Sequence, residues 1–254
     1  MPRWIRSGEL WQLAPSTPPP RAGEPSPSNA RALLEFIGGS YLAASPQLSY
    51  RRLLEALAGL GWWIHAWSYV PGFDHQQQAN QAWRGFRALR QQQDQQLGQP
   101  ALVLRLGHSL GCKLHLLAPD GGRASALVAL SFNNFSAERS VPLLAEMGQQ
   151  FGFRSEFSPS PAATLLQVQQ AYLQPRNLLV RFDADRIDQS ARLLDSLRGR
   201  ANDQSQLVEL PGDHLSPASG GLRRQLLGRW ADDPARSQRI TDLAGLINRW
   251  ARRG

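Results

Sequence analysis

Apolar residues fall in short blocks whose period alternates between two and 3.6, so strands and helices take turns along the chain. Trp4 to Leu13 reads as a hairpin turning at Ser7-Gly8. Arg31 to Ile37 is a strand stopped by Gly38-Gly39. Ser45-Pro46 opens a helix, with proline where a missing N–H costs nothing, and Tyr50, Leu53, Leu54 and Leu57 form its buried stripe. Gly59 and Gly61 end that helix, and Trp62 to Tyr69 is the next strand. Asp74 caps a glutamine-rich helix with Ala79, Trp83, Phe86, Leu89 and Leu97 on its inner face and the glutamines in solvent. Further strands are predicted at Ala101 to Leu106, Ser125 to Phe132, Asn177 to Phe182 and Gln206 to Leu210. A helix capped by Asp188 runs to Leu197 and closes at Gly199. The last helix opens at Asp233-Pro234 and buries Ile240, Leu243, Ile247 and Trp250.

This alternation predicts an α/β domain with a mostly parallel central sheet and helices on both faces. Its 254 residues suit a single domain, 1–254. Two stretches break the rhythm. Residues 15–29, rich in Pro and Ser, read as a loop. Residues 133–176 are too long for an ordinary connection and carry their own helix, Ala162 to Leu173, which predicts a cap or lid insertion.

Composition narrows the partners. The net charge is +8, Lys113 is the only lysine, and the arginines are scattered rather than set in a stripe. No nucleic-acid partner is expected; the charge allows only a loose peripheral contact with an anionic surface. Cys112 is the sole cysteine, so no intrachain disulfide can form. The longest apolar runs, such as Ala124 to Phe132, are too short to span a bilayer, and Met-Pro-Arg-Trp-Ile-Arg has no hydrophobic signal core. A soluble cytoplasmic protein is expected. With no dinucleotide fingerprint, P-loop or cysteine–histidine cluster, neither cofactor nor metal is expected.

One stretch carries chemistry. In Gly107-His108-Ser109-Leu110-Gly111 a strand gives way to a helix within a few residues, and Leu110, Leu114 and Leu117 take up helical spacing. This is a nucleophile elbow, with Ser109 on the corner and glycines where backbone must pass close by. A serine nucleophile needs a base, and the base needs an acid to fix its tautomer. Downstream of Ser109 there are two histidines. His115 packs on the elbow helix, whereas His214 follows a predicted strand in a loop and is the candidate base. Asp183, Asp185 and Asp188 follow the preceding strand. Asp185 is preferred as the acid, Asp183 is its rival, and Asp188 reads as a helix cap. The oxyanion hole needs two backbone donors: Leu110 N–H, and Gly39 N–H from the loop Gly38-Gly39-Ser40-Tyr41. Ser40, Tyr41 and His108 flank these groups and are candidate substrate contacts. Nucleophile, acid and base in this chain order predict the α/β-hydrolase fold.

These segments resemble the α/β-hydrolase-like family of cyanobacteria and plastids catalogued as domain of unknown function 1350. The matching stretches are Phe36-Ile-Gly-Gly-Ser-Tyr, Phe73-Asp-His, Gly107 to His115, Ser131-Phe-Asn-Asn-Phe, Phe157-Ser-Pro-Ser-Pro, Ile187-Asp-Gln-Ser and Pro211-Gly-Asp-His-Leu-Ser-Pro. The resemblance implies the fold, a triad at Ser109, Asp185 and His214, and a cyanobacterial or plastid-related cytosolic setting. It implies no substrate. Two of its segments add candidate pocket residues at strand ends: Asp74 and His75, with capping the plainer role for Asp74, and Asn133 and Asn134, which either orient the lid backbone or bind a polar substrate group.

The resulting expectation is a capped serine esterase or thioesterase acting on a small acyl, lipid-like substrate through an acyl-serine. The alternatives are an acyltransferase and a non-catalytic binding or regulatory module on the same fold. A last expectation concerns Arg105, a charge inside the apolar run Ala101 to Leu106. A buried guanidinium needs a partner, and Glu35, at similar depth in the neighbouring strand, is expected to supply it.

Overall fold

The computed structural model describes residues 2–16, 31–140, 156–219 and 234–253. Its strands are β1 (Trp4–Ser7), β2 (Leu10–Leu13), β3 (Ala32–Ile37), β4 (Trp62–Trp67), β5 (Leu102–His108), β6 (Ala126–Leu130), β7 (Asn177–Phe182) and β8 (Gln206–Leu210). They form one sheet in the order β1-β2-β4-β3-β5-β6-β7-β8. β1 and β2 pair antiparallel and β2 lies antiparallel to β4, while the pairs from β4 through β8 are parallel. Every residue of β3 and β6 is buried, as parallel strands covered on both faces require, whereas β8 at the edge is half-exposed.

The helices are α1 (Pro46–Ser49), α2 (Arg51–Gly59), α3 (His75–Leu97), α4 (Leu110–Leu117), α5 (Ala137–Ser140), α6 (Pro161–Ala171), α7 (Ser190–Arg198) and α8 (Pro234–Ala251). α2 and α8 cover one face, packing Leu53, Leu57, Leu243 and Ile247 on Leu34, Phe36, Leu104 and Leu106. On the other face α3 and α4 bring Ala79, Phe86 and Leu114 to Ile37 and Trp67, and α4, α6 and α7 bring Leu116, Val168 and Leu193 to Leu127 and Leu179. Each fully buried leucine contributes about 1.5–3 kcal/mol relative to exposure. Among the described residues no helix is long and apolar enough to cross a membrane.

Several expectations shift. The helix opened by Pro46 breaks at Tyr50 (φ −121°, ψ 19°) and restarts at Arg51, so Tyr50 sits at a joint rather than within a stripe. On α3, Leu97 is exposed and Trp83 half-buried. Gln93, read as solvated, is buried instead, because its side chain bonds His65 Nε2 at 3.0 Å and Gln12 at 2.7 Å. Asp188 does not cap α7; that place is taken by Gln189, and Asp188 accepts from the Ser190 amide and hydroxyl. Of the helices within 133–176, α6 packs beside α4 and α7 on the sheet face, with Val168 in one core cluster with Cys112, Leu116 and Leu193. Residues 141–155, the rest of that insertion's centre, lie outside the described residues, as do most of the 15–29 loop and Asp233.

The buried charge finds more than one partner. Glu35 and Arg105 are register partners across β3 and β5, and Arg105 Nε stands 3.7 Å from Glu35 Oε2. Closer contacts lie at the ends: Arg105 Nη2 to Asp120 Oδ1 is 3.1 Å, and Arg90 Nη2 to Glu35 Oε1 is 3.4 Å. The expected pair is thus the middle of a chain Arg90–Glu35–Arg105–Asp120. Burial pushes the Glu35 carboxyl up, and the two arginines pull it back in part. Arg105→Leu is expected to lower unfolding stability by about 3–5 kcal/mol in denaturant titration. Adding Glu35→Leu should recover little, because Asp120 stays buried without its cation; full recovery would show that Asp120 is not part of the chain.

Candidate active site

β5 ends at His108 and α4 begins at Leu110, leaving Ser109 alone at the corner with φ 54° and ψ −121°. A non-glycine residue held there costs about 1–3 kcal/mol. Ser109 N–H donates to the Leu130 carbonyl of β6 at 3.0 Å, and the Ser109 carbonyl accepts from Cys112 N–H at 3.1 Å. The flanking glycines are required by contact. A Cβ on Gly107 would stand 2.6 Å from Cys112 Cα, and one on Gly111 would overlap the Ile37 carbonyl.

Three side chains from distant loops meet at this corner. His214 Nε2 is 3.1 Å from Ser109 Oγ, and His214 Nδ1 is 2.8 Å from Asp185 Oδ2. Since a carboxylate only accepts, Nδ1 carries the proton and Nε2 presents its lone pair to the serine hydroxyl. Burial alone would raise the Asp185 carboxyl, but the His214 hydrogen bond and charge, with the Ile187 N–H, hold it below the usual range. It therefore stays ionised, and its stabilising contribution is lost only as pH falls through that lowered value. Asp183 is placed elsewhere, accepting from Gly212 N–H at 2.9 Å and tethering the loop that carries His214.

The two backbone donors expected to form an oxyanion hole are placed differently from one another. Leu110, first residue of α4, has an N–H with no hydrogen-bond partner among the described residues, as helix starts leave free donors. Gly39 N–H is already engaged, donating to Tyr50 Oη at 2.9 Å. The next amide, Ser40, opens a three-residue 3₁₀ turn (Ser40–Leu42) and makes no hydrogen bond among the described residues. Between these two amides it is therefore Ser40 N–H, and not Gly39 N–H, that has no hydrogen-bond partner among the described residues. Gly39 instead supplies closeness: a Cβ on it would lie 3.0 Å from Ser109 Cβ.

The remaining candidates divide. Tyr41 is exposed. His108 is buried with both ring nitrogens engaged, by Tyr50 Oη at 2.7 Å and the His214 carbonyl at 2.8 Å, so it supports the site rather than facing a substrate. Asp74 caps α3, accepting from Gln77 N–H at 2.7 Å, and His75 is buried and stacked on Phe157 at 4.2 Å. Both are brought to the 157–159 segment and not to the serine. Asn133 donates to the Ile187 carbonyl at 3.4 Å, and Asn134 donates to the Pro161 carbonyl at 2.9 Å while its N–H bonds Gln189. The asparagines thus orient the backbone on either side of the insertion. His115 packs on α4 as expected, its Nε2 3.2 Å from the Leu106 carbonyl. The residues that sequence reading passed over are Tyr50 and Tyr69. Their only signal was an apolar stripe or strand, which says nothing of a hydroxyl.

The strand order, with Ser109 on the β5–α4 corner and His214 and Asp185 in loops after β8 and β7, is that of the α/β-hydrolase fold. The chain belongs to the family described as Protein of unknown function (DUF1350), whose profile matches residues 25–240. Among solved structures it is similar to the apo form of Thermogutta terrifontis esterase 2, with a TM-score of 0.59 at 18% identity over 94% of this chain and 88% of that one. It is also similar to a thioesterase domain from the curacin biosynthetic pathway, with a TM-score of 0.54 at 11% identity over 97% and 98% of the two chains. An esterase domain from a Rhodothermus marinus protein aligns with a TM-score of 0.53 at 14% identity, over 96% and 92%. No curated protein sequence matches.

The elbow gives a direct test of its own packing. Gly107→Ala forces a Cβ into the Cys112 backbone, which cannot swing aside like a side chain. It is expected to destabilise by more than about 2 kcal/mol in thermal or denaturant unfolding. Gly59→Ala, where a Cβ meets nothing within 4 Å, is the matched control and should be close to neutral.

Proposed function

We propose that this protein is a serine hydrolase of esters or thioesters working through an acyl-serine intermediate. The observation that carries the reading is the continuous hydrogen-bonded line Ser109 Oγ, His214, Asp185 on a strained elbow. Ser109 Oγ attacks the acyl carbon while its proton passes to His214 Nε2, and Asp185 stabilises the imidazolium so formed. The carbonyl oxygen takes up the negative charge beside the free N–H groups of Leu110 and Ser40, with the N-terminus of α4 adding a favourable field. The tetrahedral adduct collapses with cleavage of the C–O or C–S bond, and His214 returns its proton to the leaving group. Water then repeats the sequence on the acyl-serine and frees the acid.

The acyl class rests on the fold's relatives. Forms of the T. terrifontis esterase have been solved with butyrate and with propionate bound, and the thioesterase domain shares the architecture. The cap expected over 133–176 belongs to this reading, and within that segment Glu156 Oε1 accepts from Ala137 N–H at 2.9 Å.

A fluorophosphonate probe is expected to label the native protein, and Ser109→Ala to abolish labelling in a folded protein. Turnover of short acyl esters should drop by several orders of magnitude when a member of the line is removed. Asp185→Asn should reduce kcat far more than Asp183→Asn, which leaves the His214 tautomer untouched. Native protein inert to such probes and to small acyl esters would overturn the hydrolase reading in favour of a binding module.

The pH profile tests the base. A base must be unprotonated to accept the serine proton, so kcat/KM should be lost on the acid side of its profile, and a profile with no acid limb removes His214 from that role.

A further inference from the structure

Behind the serine, four groups form a second hydrogen-bonded line whose direction chemistry dictates. His108 Nε2 is 2.8 Å from the His214 carbonyl oxygen, and a carbonyl only accepts, so Nε2 carries the proton. Burial, with His214 alongside, pushes the His108 imidazole down to about 3, so the ring is neutral and Nδ1 is left as an acceptor. Tyr50 Oη, 2.7 Å away, must then donate to Nδ1. Its oxygen remains free to accept, and Gly39 N–H fills that role at 2.9 Å. The line runs one way: Gly39 N–H to Tyr50 O–H to His108 to the His214 carbonyl.

Its ends are functional loops. Gly39 belongs to the same peptide unit as the Gly38 carbonyl, which accepts from Tyr69 Oη at 3.0 Å. Tyr50 packs in the core on the α2–α8 face and Tyr69 in the core on the α3–α4 face. Two buried tyrosines therefore grip one peptide from opposite sides, and the amide that follows it is Ser40 N–H. A Cβ on Gly38 would stand 2.6 Å from Tyr50 Cε2, so glycine at 38 is what lets the ring lie beneath the loop. At the far end the same line holds the backbone of His214.

We propose that Tyr50 and His108 are positioning residues that set the oxyanion loop and the base loop against Ser109 through one directed hydrogen-bond relay. The role rests on the hydrolase reading above. Neither residue touches the reacting atoms; each acts through a backbone group it holds. Burying the relay strengthens its bonds and makes any break costly, because both neighbours of the lost group are left unsatisfied.

The ring at 108 supplies one acceptor and one donor a short distance apart, and a carboxamide offers the same pair. His108→Gln can keep both bonds in the same direction, while His108→Leu keeps neither. Tyr50→Phe leaves Gly39 N–H and His108 Nδ1 without partners. On a short acyl ester, with active sites counted by fluorophosphonate titration, Tyr50→Phe and His108→Leu should lower kcat roughly 10- to 100-fold, as small misplacements of reacting groups do. KM should stay close to wild type, and His108→Gln should recover most of kcat. Nitrogen-15 NMR of the wild type supplies the arm that needs no variant: His108 should be the neutral Nε2–H form from about pH 5 to 8. An Nδ1–H or cationic ring there overturns the relay. Wild type that turns over and labels, with Tyr50→Phe equal to it in kcat, overturns the positioning role alone. Wild type that neither labels nor turns over, with the Nε2–H form present, fails the hydrolase reading and takes the positioning role with it.

Discussion

Ser109 is held in a backbone conformation that serine does not choose freely, and the site is arranged around that fact. The corner between β5 and α4 works only because β3 and the first turn of α4 press against it where Gly107 and Gly111 have no side chains. That pressure aligns the Ile37 carbonyl, and with it the start of the Gly38-Gly39-Ser40-Tyr41 loop, relative to Ser109. The strain is offset by the bonds from Ser109 N–H to β6 and from Cys112 N–H to the Ser109 carbonyl. What results is a hydroxyl at the sheet edge, beside the Leu110 N–H, which has no hydrogen-bond partner among the described residues.

β5 carries two buried polar groups, and their solutions differ because their charges differ. Arg105 points to the α3–α4 face and meets Glu35 and Asp120. His108, three residues on and so on the opposite face, meets Tyr50, which belongs to the α2–α8 core. A guanidinium stays charged at any ordinary pH, so burial demands counter-charges, and the protein supplies a chain of them. An imidazole can shed its charge, so His108 needs only hydrogen bonds of the right direction. The first arrangement ties the lower part of the central strands; the second ties the loops above them.

The long connection between β6 and β7 combines two kinds of structure. Its helix α6 joins the layer on the sheet face through Val168, as any crossover helix of a parallel sheet does. The stretch before it is fastened at both ends, by Glu156 to Ala137 and by the main-chain bonds of Ser158 to Phe73 and Gln76. Buried Lys113 adds a bond from α4 to the Pro159 carbonyl at 3.0 Å. The elbow helix and the feet of the insertion are thereby joined directly.

Much of this was legible in order along the chain. The strand-to-helix switch at Gly107 to Gly111, the loop histidine after β8 and the acid after β7 are local patterns, and period and glycine placement encode them. The choice between Asp183 and Asp185 was not local. It depends on which carboxylate the β7–α7 loop swings toward His214, and the tertiary structure sends Asp183 to Gly212 N–H instead. The same holds for Gly39, whose amide faced the right loop but is claimed by a tyrosine eleven residues away. Tyr50 and Gln93 looked apolar-stripe and solvent-facing, and became polar members of the core because partners arrived from other elements. Sequence by itself determined the order of most elements, most of their apolar faces and the corner that bears Ser109, since these follow from backbone preference and burial over a few neighbouring residues. Tertiary structure alone decided which donor meets which acceptor, because a hydrogen bond is set within a few tenths of an ångström by groups far apart in the chain.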